Sequence, residues 1–211
     1  MPVRFGAHAT DLRWLEQGDA SLLMAFFASH SPETVYQRYG YAGVHMTPER
    51  AAQLVGVDQS RDAALGIFER GAGLPRLIAI GRYCLSSDGR WAEAAFVVHE
   101  QRRRLGICST LLDALVTIAR ERGLYRLVGE VQHDNAPMLD IFRAAGATIE
   151  WINGTPSLRA TIVLRDSDPG SAHPLPGAQR SVSSRGGSVA ARAARRDDAW
   201  HFSPALRSAP T

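Results

Sequence analysis

Lysine is missing altogether: every basic side chain in the 211 residues is an arginine or a histidine. The absence reads as the compositional bias of a GC-rich genome rather than a functional device. Net charge is only +3 and is spread along the chain, which gives a nucleic-acid-binding role little support. Cysteine is scarce. Cys84 and Cys108 suit a reducing compartment and form neither a disulfide framework nor a zinc-ligand pattern. The seven histidines are scattered, with no pair at ligand spacing beside a carboxylate, so no metal is expected. No apolar run approaches the roughly 20 residues that a bilayer span needs. The opening Met1-Pro2-Val3-Arg4-Phe5 lacks the apolar stretch and small-residue cleavage site of a secretory signal. A cytoplasmic location with no membrane contact is the expectation.

Aliphatic residues thin out after Arg165. From Asp166 to Thr211 the chain is rich in Ser, Ala, Pro, Gly and Arg and shows no helical or strand period. Such a segment buries too little apolar area to offset its ordering entropy, so residues 166–211 are expected to be a disordered tail. Residues 1–165 are expected to form one domain, since this length supports one substantial core.

Within that domain two periods alternate. Thr10–Leu15 reads as a strand, and Gly18-Asp19 opens an apolar helix through Leu22, Leu23, Phe26 and Phe27. Ser31-Pro32-Glu33 and Thr47-Pro48-Glu49 each combine a capping hydroxyl, a first-turn proline and an acid, the start signature of a helix. Ala63–Glu69, Leu77–Leu85 and Trp91–Val98 are strand-like, separated by glycine-bearing turns. Leu111, Leu112, Leu115, Ile118 and Ala119 share a helix face that closes at Gly123. Strands are then predicted at 125–131, 147–152 and 158–164, with a helix capped by Asp134 or Asn135 and ended by Gly146. The sum is a mixed α/β (α+β) layer.

The segment Val97-Val98-His99-Glu100-Gln101-Arg102-Arg103-Arg104-Leu105-Gly106-Ile107-Cys108-Ser109 carries the chemistry. A buried strand ends, a basic loop follows, a glycine allows close backbone approach, and an amphipathic helix begins. The first N–H groups of that helix lack internal partners, and with the helix dipole they suit a pyrophosphate. By itself the loop is equally compatible with a solvated arginine turn.

Arg103-x-x-Gly106-x-Cys108, followed about thirty residues later by Asn135-Ala136-Pro137-Met138-Leu139-Asp140-Ile141-Phe142 and Gly146, resembles the two acyl-CoA motifs of the GNAT superfamily of N-acetyltransferases. The resemblance covers roughly residues 8–165. Ser31–Tyr39, Thr47-Pro48-Glu49 and Leu127–Val131 are similar, more narrowly, to the GNAT domain of bacterial protein lysine acetyltransferases. The resemblance implies a mixed, mostly antiparallel sheet of six to seven strands flanked by helices. It implies acetyl-CoA as co-substrate, held by Phe96, Val97, Val98, Arg103, Arg104, Leu105, Gly106, Ile107, Cys108, Ser109, Asn135, Met138 and Phe142. It also places Glu93 in the general-base position.

The residues bear on these roles. A carboxylate in an apolar strand loses solvation, which raises its pKa toward the operating pH, and a protonated amine needs a base before it can attack a thioester. Taken alone, the pattern favours a Glu93 that points outward; the resemblance turns the balance toward the base. His99 and Glu100 are rival bases, expected to be solvated. Cys108 stands where the family has Gly or Ala and is read as packing rather than as a nucleophile. Phe142 replaces a tyrosine that protonates the departing thiolate in many relatives, and the protein lysine group shares that loss. The helical stretch from Ser31 to Val55, with Tyr36, Tyr39, Tyr41, His45 and Glu49, is expected to line the acceptor side.

The reading is therefore an acetyl-CoA-dependent N-acetyltransferase acting on an amine, a protein lysine first and a small-molecule amine second. A non-catalytic acyl-CoA-binding module is the alternative from another class. Self-association as a homodimer is left open.

Overall fold

The computed structural model describes residues 1–39, 46–71 and 73–165. The expected tail lies outside the described residues, as do Tyr41 and His45. Local signals account for most elements. Gly6, at φ 60°, turns strand β1 (Pro2–Phe5) back onto β2 (His8–Trp14). A single 3-10 turn leads into helix α1 (Ala20–Ala28), followed by α2 (Pro32–Tyr39) and α3 (Pro48–Val55). Thr47 caps α3 by accepting from the Arg50 N–H at 3.2 Å, the contact that a threonine before proline foreshadows. Strands β3 (Ala63–Glu69), β4 (Arg76–Leu85) and β5 (Trp91–Val98) run on through tight turns. The second half supplies α4 (Ile107–Glu121), β6 (Arg126–Gln132), α5 (Ala136–Ala144), β7 (Thr148–Trp151) and β8 (Ser157–Val163).

The eight strands form one sheet in the order β1-β2-β3-β4-β5-β6-β8-β7. Every neighbouring pair is antiparallel except β5 and β6. A parallel pair needs a crossover, and α4 is that crossover. The mixed, mostly antiparallel class matches the expectation. The strand beyond the expected seven is β1, four residues long with only Phe5 buried, too short for its alternation of Val3 and Phe5 to stand out as a strand signal.

Adjacent strand residues face opposite sides, and each side has its own core. Ala79 and Val98 point to the side where Leu111, Leu115, Leu139 and Phe142 of α4 and α5 pack. Ile80 and Val97 point to the other, against Leu23 and Phe26 of α1 and Leu54 and Val55 of α3.

The feature that opens the molecule is the short β5–β6 ladder. It runs from Trp91↔Arg126 to Ala94↔Gly129 and stops, although β5 continues to Val98 and β6 to Gln132. The last paired residue on β6 also packs closely: a Cβ at Gly129 would lie 2.3 Å from Cζ of Phe142. Replacing Gly129 by alanine should cost about 1–3 kcal/mol of overpacking, and adding Phe142→Leu should recover part of it. Thermal denaturation of the single and double variants checks this, and an unchanged midpoint for Gly129→Ala would mean that the ring can move aside.

Candidate functional site

Where β5 and β6 part, a groove of about 470 Å³ opens. One wall is the free end of β5, Phe96 to Val98; the others are the starts of α4 and α5. At the α4 end the backbone is set for close approach. Gly106 caps the helix in the left-handed conformation at φ 79°, and Arg104 adopts φ 62°, the one non-glycine residue with positive φ among those described. The first bond of the helix runs from Thr110 N–H to the Gly106 carbonyl at 3.0 Å. The N–H groups of Ile107, Cys108 and Ser109 are therefore unused within the helix, the arrangement that favours an anion. At the other end Asn135 caps α5, accepting from the Met138 N–H at 3.3 Å.

Arg103, Arg104, Gly106, Ile107, Cys108, Ser109, Asn135 and Met138 thus share one groove with Phe96, Val97 and Val98. Leu105 does not line it; its side chain is partly exposed beside the loop. Phe142 does not line it either. It is fully buried beneath, edge-on to Phe96 with ring centroids 6.2 Å apart. Its para carbon faces Gly129, so a tyrosine in this rotamer would drive its hydroxyl into β6 rather than toward the groove.

Glu93 lies outside the groove lining as well. It is 5% exposed, on the strand face it shares with Val97, opposite Cys84 on β4 and Val128 on β6. Arg82, also buried, shares this face, with its Nη2 3.4 Å from Cys84 Sγ. Glu93 therefore belongs to the α1 and α3 side of the sheet, and the groove runs along the end of its strand.

The three loop arginines have separate surroundings. Arg102 pairs with Glu69, Nη2 lying 2.9 and 3.0 Å from its two oxygens. Arg103 donates to the Thr34 hydroxyl at 2.5 Å. Arg104 is exposed at the groove. The neighbours His99 and Glu100 are not solvated as expected. His99 is 5% exposed, with Nε2 2.8 Å from Arg76; burial and then the Arg76 charge hold it below the ordinary imidazole value. Glu100 accepts from the Ser31 N–H at 2.8 Å and the Thr34 hydroxyl at 2.6 Å. Burial alone would raise its pKa, but these hydrogen bonds outweigh it and hold the carboxyl far below the usual range.

Cys108 has its Sγ 3.6 Å from Met138 Sδ. Burial pushes its pKa up to about 12, which leaves an un-ionised thiol where nucleophilic chemistry would need a thiolate.

Five further residues line the groove: Thr34, Arg102, Asp134, Pro137 and Ile141. Pro137 and Ile141 follow from the helical spacing that they share with Met138. Thr34 carries no such signal, because it arrives from a distant helix. Tyr36 and Tyr39 fall in α2, their side chains outside what is described. Among the described residues no group of three or more His, Cys, Asp or Glu is placed to hold a metal ion, and no helix is long and apolar enough to cross a membrane.

The model of the acetyltransferase (GNAT) family matches residues 25–147. The chain belongs to that family. Its fold is similar to the GNAT domain of PAT from S. lividans, with TM-score 0.69 and 24% identity over 78% of this chain and 96% of that one. It is also similar to a putative acetyltransferase from Salmonella typhimurium solved with its cofactor acetyl-CoA, with TM-score 0.62, 17% identity, and coverage of 75% and 95%. A ribosomal-protein alanine acetyltransferase from Vibrio fischeri aligns with TM-score 0.63 and 14% identity over 80% of this chain and 100% of that one.

The site makes stability pH-dependent with a definite sign. His30, at the end of α1, has a side chain 3% exposed, and burial lowers its pKa. The unfolded imidazole titrates near about 6.5, so below that the unfolded chain binds the extra proton and stability falls. Glu100 acts lower on the scale. Its contribution is complete above the ordinary value of about 4.3 and is lost as pH falls from there toward its depressed folded value. The melting midpoint should decline on acidification below about pH 6, and Glu100→Gln should flatten the lower part of that decline. An identical acid limb in the variant would remove Glu100 from the account.

Proposed function

We propose that this chain moves an acetyl group from acetyl-CoA to an amine, with a protein lysine as the acceptor, by direct attack with Glu93 as general base. One observation carries the reading: the unused N–H groups of α4 and the Arg103 and Arg104 side chains meet an apolar strand end within a single groove. That donor set suits a pyrophosphate at one end, and Val97, Val98, Met138 and Ile141 suit the less polar arm that follows. Bound there, acetyl-CoA supplies an activated thioester. The likeness to PAT and to the ribosomal-protein acetyltransferase favours a protein acceptor over a small amine.

The roles of the residues follow from their placement. The backbone N–H groups at the end of β5, released from pairing with β6, are donors for the oxyanion that develops at the thioester carbonyl. Glu93 lies on the same strand, on the face toward α1 and α3, and takes the proton of the incoming ammonium through water, since it does not line the groove itself. Phe142 gives the leaving thiolate no proton, so that proton comes from solvent.

Calorimetric titration with acetyl-CoA tests the groove. Affinity near the micromolar range, about −8 kcal/mol, should vanish in a folded Gly106→Glu variant, whose side chain enters the anion site. A wild type that folds but binds no acetyl-CoA sinks the proposal. For the base, Glu93→Gln should lower kcat on a lysine peptide by about 10²- to 10⁴-fold and leave acetyl-CoA affinity nearly unchanged. Full turnover in that variant would assign the proton to another group.

A further inference from the structure

Helix α2 is capped twice, and the second cap comes from the anion loop. Locally, the Ser31 hydroxyl accepts from the Thr34 N–H at 3.2 Å. From far along the chain, Glu100 accepts from the Ser31 N–H and from the Thr34 hydroxyl, and that same hydroxyl accepts from Arg103. A hydroxyl has one proton to give and two lone pairs. Thr34 spends its proton on Glu100 and receives Arg103, so Arg103, Thr34 and Glu100 form one charge-assisted chain.

Three observations give this chain a consequence. Among the described side chains of α2, Thr34 lines the groove. An eight-residue helix is marginal without tertiary contacts, so α2 depends on what holds its start. Glu100 is confined: its second oxygen faces His30 Nδ1 at 3.6 Å and His99 Nδ1 at 4.0 Å, with the His30 side chain buried, and His30 lines a small cavity together with Leu23, Phe26, Ile80 and Val97.

We propose that Thr34 and Glu100 are positioning residues that carry occupancy of the anion loop to helix α2, so that CoA binding firms the acceptor side of the site. The proposal rests on the functional reading above, which puts the pyrophosphate at Arg103. A guanidinium has five donors. The one given to Thr34 leaves the rest for an anion, and an anion that fixes the guanidinium also fixes its bond to Thr34.

The test is hydrogen exchange over residues 32–39 with and without saturating CoA, with CoA binding followed by calorimetry and folding by thermal denaturation. In the wild type CoA should slow exchange there by about fivefold or more, the lower end of ordinary coupling between sites. Thr34→Ser keeps the hydroxyl and should behave alike. Thr34→Val and Glu100→Gln should still bind CoA but lose the protection, and either variant suffices if the other fails to fold. Equal protection in a folded Thr34→Val or Glu100→Gln overturns the proposal, as does a wild type that binds CoA with no change in α2. A wild type that binds no CoA is a different result, because it removes the cofactor reading itself.

Discussion

The loss of pairing between β5 and β6 beyond Ala94 and Gly129 is the constraint on which the rest of the molecule depends. Two strands that diverge leave backbone N–H and C=O groups without ladder partners, and buried groups of that kind are costly unless something satisfies them. At this point the fold brings two helix starts, α4 at Ile107 and α5 at Ala136, each with the positive end of its dipole, and α4 adds the unused N–H groups of its first turn. The result is a slot whose open end is rich in donors and whose depth is apolar. An elongated ligand, anionic at one end and carrying a thioester at the other, answers both ends of that slot.

The parts of this arrangement that depend on neighbours in sequence were legible from the chain. Thr47-Pro48, Asn135 with Pro137, and the glycines at 106, 123 and 146 declare helix ends because capping and left-handed φ are local matters. The other seven strands show themselves by run length and composition. What escaped was set by tertiary contact. The β1 strand exists because β2 is there to pair with it. Thr34 enters the groove from a helix far from the motifs. Glu100 reads as a solvated loop acid until Ser31 and Thr34 close over it. Phe142, four residues along from Met138, sits within reach of the groove by helical spacing, yet the absence of a side chain at Gly129 draws its ring beneath the sheet. Where Glu93 points was equally a matter of register: only the pairing with Cys84 and Val128 assigns it to the α1 and α3 face.

The run Arg102-Arg103-Arg104, uniform as text, becomes three different devices. Arg102 is neutralised by Glu69 and fastens the loop to β3. Arg103 is shared between groove and helix. Arg104, held in a left-handed conformation beside Gly106, is exposed at the groove. Charge alone does not assign these tasks. The reach of each side chain and the position of a single carboxylate or hydroxyl opposite it do.

Guanidinium groups make the ties: Arg102 to Glu69 and Arg103 to Thr34 beside the groove, and at the far end of α4 Arg122, which donates to Tyr83 Oη at 2.8 Å and to the Asp62 carbonyl at 2.9 Å. An ammonium in any of these places would be a candidate for acylation by a thioester, losing its charge and its donors in one step. Guanidinium is protonated throughout the working range and offers no comparable nucleophile. Whatever the origin of the lysine-free composition, these 211 residues present no lysine to their own chemistry. The side chains of the sequence thus include no primary amine for an acylating agent to modify.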